Sequence, residues 1–243
     1  MKSSEETEMK LHVIGCHGPY PVAGGCTSGY LIEHAGKALL MDCGAGVMGR
    51  LMQLWDPAAL EGVLLSHLHF DHASDLLVMR YYLEIAGKTL PVYVPPEDAS
   101  PFKALLTAPA FDVRPYPAEL EIMGLAITTL PVRHPVPCRA LRLTDGEKTL
   151  VFTGDTNDCA GLSDFARHAD ALLADAAFLT REWTDQKPHM SAAGAARLAL
   201  EAEAKELYLT HLPVRHAPET LVQEAKQVFP RVQAVTPGMV IAP

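Results

Sequence analysis

The stretch Val63-Leu64-Leu65-Ser66-His67-Leu68-His69-Phe70-Asp71-His72 sets three imidazoles and a carboxylate directly behind an apolar run. The run reads as a buried strand and the polar cluster at its tip as a grip for metal. In extended backbone, residues two apart point to the same side, so His67 and His69 can hold one ion together. Asp71 and His72 follow at the start of a helix, placed for a second ion nearby. Imidazole nitrogen and carboxylate oxygen are the donors zinc takes when one position must stay open for water. The alternative is a solvated His-rich surface tract. Against it, His-x-His-x-Asp-His arises by chance from this composition on the order of once in a thousand chains.

Three more polar residues stand at the tips of apolar runs. His134 follows the run 125–131 in Pro131-Val132-Arg133-His134-Pro135, and Asp155 follows Leu150-Val151-Phe152 in Thr153-Gly154-Asp155-Thr156. His211 follows Leu207-Tyr208-Leu209-Thr210. A buried charge there is costly unless it is paired or coordinates metal. Singly, each reads as a hydrogen-bonded loop residue; their order downstream of the first motif reverses that reading.

With these residues in hand, the chain resembles the metallo-β-lactamase superfamily of hydrolases. The ordered set His67, His69, Asp71, His72, His134, Asp155 and His211 spans nearly the whole length, and Asp42-Cys43-Gly44 is similar to that family's Asp-x-Gly turn. Gly154-Asp155-Thr156, Asp175-Ala176-Ala177-Phe178 and His189-Met190-Ser191 resemble the ribonuclease Z-like and small phosphodiesterase branch. The resemblance implies an α/β fold of the αββα sandwich type, two mixed sheets face to face with helices outside.

The chain also departs from that branch. Where ribonuclease Z reads His-Glu-Ala-Thr, this chain has Ala174-Asp175-Ala176-Ala177. The carboxylate survives in shortened form and the imidazole is gone. Neither the 71–134 interval nor the 155–189 interval has room for the long arm with which tRNA-processing enzymes grip tRNA. Composition agrees. Twenty basic against twenty-nine acidic residues leave a net charge of −9, without the basic footprint of a nucleic-acid binder. No large nucleic acid is therefore expected as a partner.

The chain of 243 residues, 49% apolar, can bury a substantial core. Residues 1–8 read as a disordered extension ahead of a single hydrolase domain over 9–243. Five cysteines, an odd number without a Cys-x-x-Cys pair, suit reduced thiols in a cytoplasm. No run approaches the roughly 18 apolar residues of a membrane span.

Strands are expected at 11–14, 27–33, 37–42, 62–66, 91–94, 119–123, 125–130, 139–143, 149–153, 171–175 and 207–210, with two short closing strands. Helices are expected at 46–55, 74–84, 101–107, 162–167, 192–204 and 218–228. Ser191 is a plausible cap for the Ala-rich helix. Strands in two runs with helices between and after them suggest two stacked sheets.

By resemblance, one divalent ion takes His67, His69 and His134, the other takes Asp71, His72 and His211, and Asp155 bridges them. Zinc suits this donor set best, with manganese or iron as alternatives. Two divalent ions less Asp71, Asp155 and a bridging hydroxide leave about one surplus positive charge, which favours a small anionic substrate. A phosphodiesterase for small phosphodiesters such as cyclic nucleotides is the leading expectation. A lactone or thioester hydrolase, a non-catalytic metal binder and a tRNA 3′-processing endonuclease follow it. His189 and Asp175 join Asp71 as expected catalytic residues: His189 opens a capped helix where imidazole and helix amides hold a phosphoryl oxygen. Arg139 reads as a solvated strand residue. A homodimer is expected from resemblance alone.

Overall fold

The computed structural model describes residues 8–243. The expected extension over residues 1–8 therefore lies, but for its last residue, outside the described residues. In chain order the first half supplies strands β1 (Lys10–Gly15), β2 (His17–Gly18), β3 (Gly29–His34) and β4 (Lys37–Cys43), then helix α1 (Val47–Leu54). It continues with β5 (Val63–Leu64), α2 (Phe70–Ala73), α3 (Leu76–Ala86), β6 (Leu90–Val94) and β7 (Phe111–Pro115). The second half supplies β8 (Leu120–Ile122), β9 (Leu125–Val132), β10 (Cys138–Thr144), β11 (Thr149–Phe152), α4 (Leu162–Phe165) and β12 (Ala171–Asp175). It ends with α5 (Ala192–Glu201), β13 (Glu206–Thr210), β14 (Leu212–Pro213), α6 (Pro218–Lys226), β15 (Val232–Ala234) and β16 (Val240–Ile241).

Two large sheets form, in the orders β16-β1-β3-β4-β5-β6-β7 and β15-β13-β12-β11-β10-β9-β8. Each is antiparallel on one side and parallel on the other. The first changes at β4, antiparallel to β3 and parallel to β5. The second changes at β11, antiparallel to β10 and parallel to β12. The two halves of the chain thus build similar sheets.

Alternation along β3 and β4 shows how the layers are specified. Tyr30, Ile32, Leu39 and Met41 pack in one cluster with Leu141 and Leu143 of the opposite sheet. Their neighbours Leu31, Ala38 and Leu40 pack in another, with Val47 and Leu51 of α1 and Leu76, Met79 and Leu83 of α3. Successive side chains in a strand point to opposite faces, so one run of sequence feeds both the inter-sheet core and the helix layer. On the second sheet, Ala192, Ala195, Ala196 and Ala199 of α5 join the core with Leu221 and Ala225 of α6. The result is an αββα sandwich.

The expected strand at 62–66 is only two residues long, because the chain turns at Ser66 toward the histidines. The expected helix at 74–84 begins later and is preceded by the separate single turn α2. The expected helix at 101–107 shrinks to a 3₁₀ turn at Lys103–Leu105. Pro95, Pro96, Pro101 and Pro109 remove donors and restrict the residues before them, which leaves no room for an α-helix. The edge strand β7 carries Asp112, Arg114 and Pro115 on an exposed rim, a pattern that does not announce itself as a strand. The five cysteines are unpaired. Among the described residues no helix is long and apolar enough to cross a membrane.

The parallel halves position the site. Leu173 of β12 lies level with Phe152 of β11 and Tyr208 of β13, so the segments leaving these strands emerge side by side. They carry Asp155, Asp175 and His211. Ligand sites in α/β sheets form outside the carboxyl ends of such strands.

Candidate metal centre

All seven residues read from the sequence as ligands meet in one place, at the carboxyl ends of the strands. His69 Nδ1 lies 3.0 Å from His67 Nε2 and 3.1 Å from His134 Nε2. Zinc–nitrogen bonds of 2.0–2.1 Å in a tetrahedron separate their nitrogens by about 3.3–3.4 Å, so these three are spaced to share a cation. Asp155 Oδ2 stands 3.2 Å from both His72 Nε2 and His211 Nε2, and 3.7 Å from His67 Nε2. Asp71 Oδ2 lies 3.3 Å from His211 Nε2 and 3.6 Å from His72 Nε2. Among the described residues three groups are close enough to hold an ion; these seven donors make two of them, His67-His69-His134 and Asp71-His72-Asp155-His211, and Asp155-Asp175-His189-His211 is the third. Asp155 reaches toward both of the first two.

Local conformation produces this convergence. His69 is extended, at φ −66° and ψ 152°, where it caps α2. The single turn of α2 then swings Asp71 and His72 back toward the strand ends. His211 adopts a left-handed φ of 52° immediately after β13, and Asp42 a left-handed φ of 59° at the end of β4. Such conformations are uncommon outside glycine and gather where the surroundings enforce them. Two glycines clear the space. A Cβ on Gly18 would lie 2.0 Å from His211 Nε2, and one on Gly44 would lie 1.9 Å from the Asp71 carbonyl oxygen.

Further hydrogen bonds orient the rings. His72 Nδ1 meets Asp42 Oδ2 at 2.8 Å, and Ser66 donates to the same carboxylate through its backbone N–H and its hydroxyl. Ser66 Oγ also lies 3.1 Å from His67 Nδ1, and the Pro188 carbonyl lies 3.3 Å from His134 Nδ1. Metal-binding histidines characteristically engage their second nitrogen this way.

Electrostatics fit a cation. Burial holds His67 well below the ordinary imidazole value and His134 down to about 4, so both rings are neutral, the form that ligates metal. Burial also opposes charge on His72. There the carboxylates of Asp155 and Asp42 outweigh it and push the ring well above its ordinary value. The buried His72 Nε2 nevertheless has no hydrogen-bond partner. Asp155 is fully buried too, yet His211, His72 and His67 around it hold its carboxyl well below the usual range. The Asp155 and Asp71 carboxylates lie 3.2 and 3.6 Å from the unpartnered His72 Nε2, an arrangement that calls for a positive charge between them. A bound divalent ion meets that demand.

His189 and Asp175 form a second arrangement against this cluster. His189 Nδ1 lies 2.7 Å from Asp175 Oδ2, and its ring stacks on His211 at 4.6 Å between centroids. Asp175 is anchored by donation from the backbone N–H groups of Thr156 and Ala177. Burial would lower His189, but the adjacent Asp175 carboxylate raises it to about 9.

Residues 37–212 match the family described as beta-lactamase superfamily domain. The chain belongs to that superfamily. It is 36% identical over 229 residues to the probable metallo-hydrolase YhfI of Bacillus subtilis (strain 168), covering 91% of this chain and 94% of that protein. The crystal structure of YhfI superposes with a TM-score of 0.93 at 34% identity, covering 98% of this chain and all of the other. Ribonuclease Z of Methanopyrus kandleri is 27% identical over 278 residues, covering 97% of this chain and 98% of the relative. This superfamily member is a metal-dependent hydrolase, and its His/Asp clusters are suited to binding metal.

The sequence places Asp42 in a turn without a role at the site; the signal for one is a carboxylate directly behind the apolar run Ala38-Leu39-Leu40-Met41. Nothing local marks Ser66 or Gly18. Arg139 is not a solvated strand residue: its side chain is mostly buried and pairs with Glu97.

Proposed function

We propose that the protein is a phosphodiesterase for small anionic phosphodiesters, of which cyclic nucleotides are one type. The observation that carries this reading is the His189–Asp175 pair, bonded at 2.7 Å and stacked on His211 at the edge of the clustered donors, where the Asp175 carboxylate favours the charged imidazole. Hydrolysis of a neutral ester gains little from a second positive group. A phosphodiester brings one negative charge and adds another in its transition state, so it gains from both. The 27% identity to an enzyme named ribonuclease Z supports the class, since an RNA backbone is a chain of phosphodiesters.

In this reading His67, His69 and His134 hold one divalent ion, and Asp71, His72 and His211 hold another, with Asp155 shared. Zinc is favoured by the donor set. Divalent ions there supply Lewis acidity and bring the pKa of water toward ~7. The remaining work belongs to the chain. Asp175 keeps the proton on His189 Nδ1, which leaves Nε2–H for a non-bridging phosphoryl oxygen or the departing oxygen. Among the described residues nothing bonds His189 Nε2, and Trp183 Nε1 donates to the His189 carbonyl at 3.1 Å, steadying the backbone behind the ring. Asp71 Oδ2 and His211 Nε2, 3.3 Å apart, are spaced as two donors to the second ion.

The substrate is small. Between Asp71 and His134 the chain forms α3, the 3₁₀ turn and β6 to β9, with no separate arm. The net charge of −9 disfavours a polynucleotide. Residence in a reducing cytoplasm and pairing into a homodimer complete the proposal. Metal-loaded protein is expected to hydrolyse bis(p-nitrophenyl) phosphate, with Asp155→Ala abolishing turnover. Activity on lactones or thioesters with none on phosphodiesters would replace this reading by a carboxylic-ester hydrolase.

A further inference from the structure

The loops that bring His69 and His134 to the centre also wall a slot of about 250 Å³ beside it. Leu68, Phe70, Phe102 and Val136 line it. His69 belongs to both slot and donor cluster, so whatever fills the slot abuts the reacting centre. Phe102 is buried, whereas Phe70 is 71% exposed although its neighbours on both sides serve the site. The two rings lie 5.8 Å apart at 50°. The volume falls short of the roughly 300–1,000 Å³ of a pocket for a whole drug-sized ligand. It suits one flat ring system at the end of a larger molecule.

Two polar groups interrupt the apolar lining. Asp98 is buried, and its Oδ1 accepts the Ser100 backbone N–H at 2.7 Å. Among the described residues no donor reaches its Oδ2; Lys103 Nζ goes to the Asp98 backbone carbonyl instead. Ser100 Oγ is buried without a hydrogen-bond partner. The Glu97–Arg139 pair ties this loop to β10 and fixes both groups in place. An apolar occupant would leave a carboxylate oxygen and a hydroxyl desolvated and unmatched, and a phosphate would be repelled. A quaternary ammonium would find only two rings and nothing for the hydroxyl. A heterocycle with an amino group beside a ring nitrogen satisfies everything: the amine donates to Asp98, Ser100 donates to the nitrogen, and the rings cover the faces.

We infer that this slot is a subsite for a nucleobase bearing an exocyclic amino group, carried by the phosphodiester substrate. The inference deepens the phosphodiesterase reading and rests on it for the place of the phosphate.

Calorimetric binding of CMP and UMP to the metal-loaded protein separates the two claims, because it needs no turnover. Cytosine offers an amine with an adjacent ring nitrogen, and uracil offers a carbonyl oxygen in the amine's place. CMP is expected to bind about tenfold more tightly than UMP, the value of one hydrogen bond to a charged acceptor. Asp98→Asn supplies a donor in place of the bare carboxylate oxygen and is expected to remove or invert that preference. Ser100→Ala is expected to narrow it. Phe70→Leu should weaken both nucleotides several-fold. Equal affinities for CMP and UMP in the unaltered protein, or tighter binding of phosphocholine than of CMP, would overturn the subsite. Hydrolysis of methyl p-nitrophenyl phosphate alongside equal CMP and UMP binding leaves the phosphodiesterase and removes the subsite. A CMP preference without hydrolysis of any phosphodiester keeps the subsite and removes the catalytic reading.

Discussion

His72 Nδ1 and Asp42 Oδ2 lie 2.8 Å apart, both residues wholly buried, across the seam between α2 and the end of β4. The pairing places the Nδ1 proton against Asp42 and leaves Nε2 facing Asp155. Asp42 holds this position from a left-handed backbone conformation, locked by Ser66. Removing the carboxylate frees the ring to rotate and to change tautomer. Asp42→Ala is therefore expected to lower metal affinity roughly 10–100-fold, since partners of this kind typically contribute that much. Competition with a chromogenic chelator measures it, and unchanged affinity would show that His72 is oriented by other contacts.

His189 serves chemistry in this account without holding metal. His189→Ala is expected to cut kcat on a phosphodiester by roughly 10²–10⁴-fold, the range for a positioned acid. Metal content should stay at the unaltered level. Asp175→Asn should lose less, since it weakens the hold on the proton without removing the ring. Loss of metal in step with activity would make His189 a ligand instead.

Asp170 offers a pH test remote from the centre. Burial would raise its carboxyl, but Lys205 Nζ at 2.6 Å and the Thr149 N–H at 2.8 Å outweigh burial and hold it below the usual range. A depressed carboxylate stabilises the fold above its unfolded pKa of about 3.9 and stops doing so as pH falls through the folded value. Asp170→Asn is expected to cost about 1 kcal/mol at neutral pH. Below both pKa values the two proteins should unfold alike, in urea titrations at each pH. A difference that persists there would point to packing rather than charge.

The thiols give a packing test. Burial pushes Cys16 up to about 12 and Cys43 and Cys138 well above the usual thiol value, while Cys159 alone of the five is half-exposed. Reactive thiols are accessible and deprotonated. A thiol reagent at mild pH is expected to titrate about one group rapidly in the native protein, and the rest only after denaturation. Rapid reaction of several would mean that the core opens readily.

How far the sequence discloses the molecule depends on what each residue is asked to do. The clustered histidines were legible because no packing purpose explains three imidazoles and a carboxylate at the tip of an apolar strand. His134, Asp155 and His211 were legible only as a set, since strand order alone brings residues so distant in the chain together. The layer arrangement was legible from strands grouped in two runs with helices between and after them, and from the family resemblance. What escaped depends on the backbone in three dimensions. Gly18 matters because His211 lies against it, and Ser66 because Asp42 turns left-handed behind it. β7 escaped because an edge strand needs little apolar patterning. Arg139 looked solvated because its partner Glu97 sits on an irregular loop.

Metal content per chain decides whether the seven donors hold a pair of ions. Elemental analysis after loading with zinc is expected to find about two ions per chain, as for a dinuclear hydrolytic site. The ratio should fall in Asp155→Ala and hold in His189→Ala. A chain that retains no transition metal under any loading condition would contradict the account at its base.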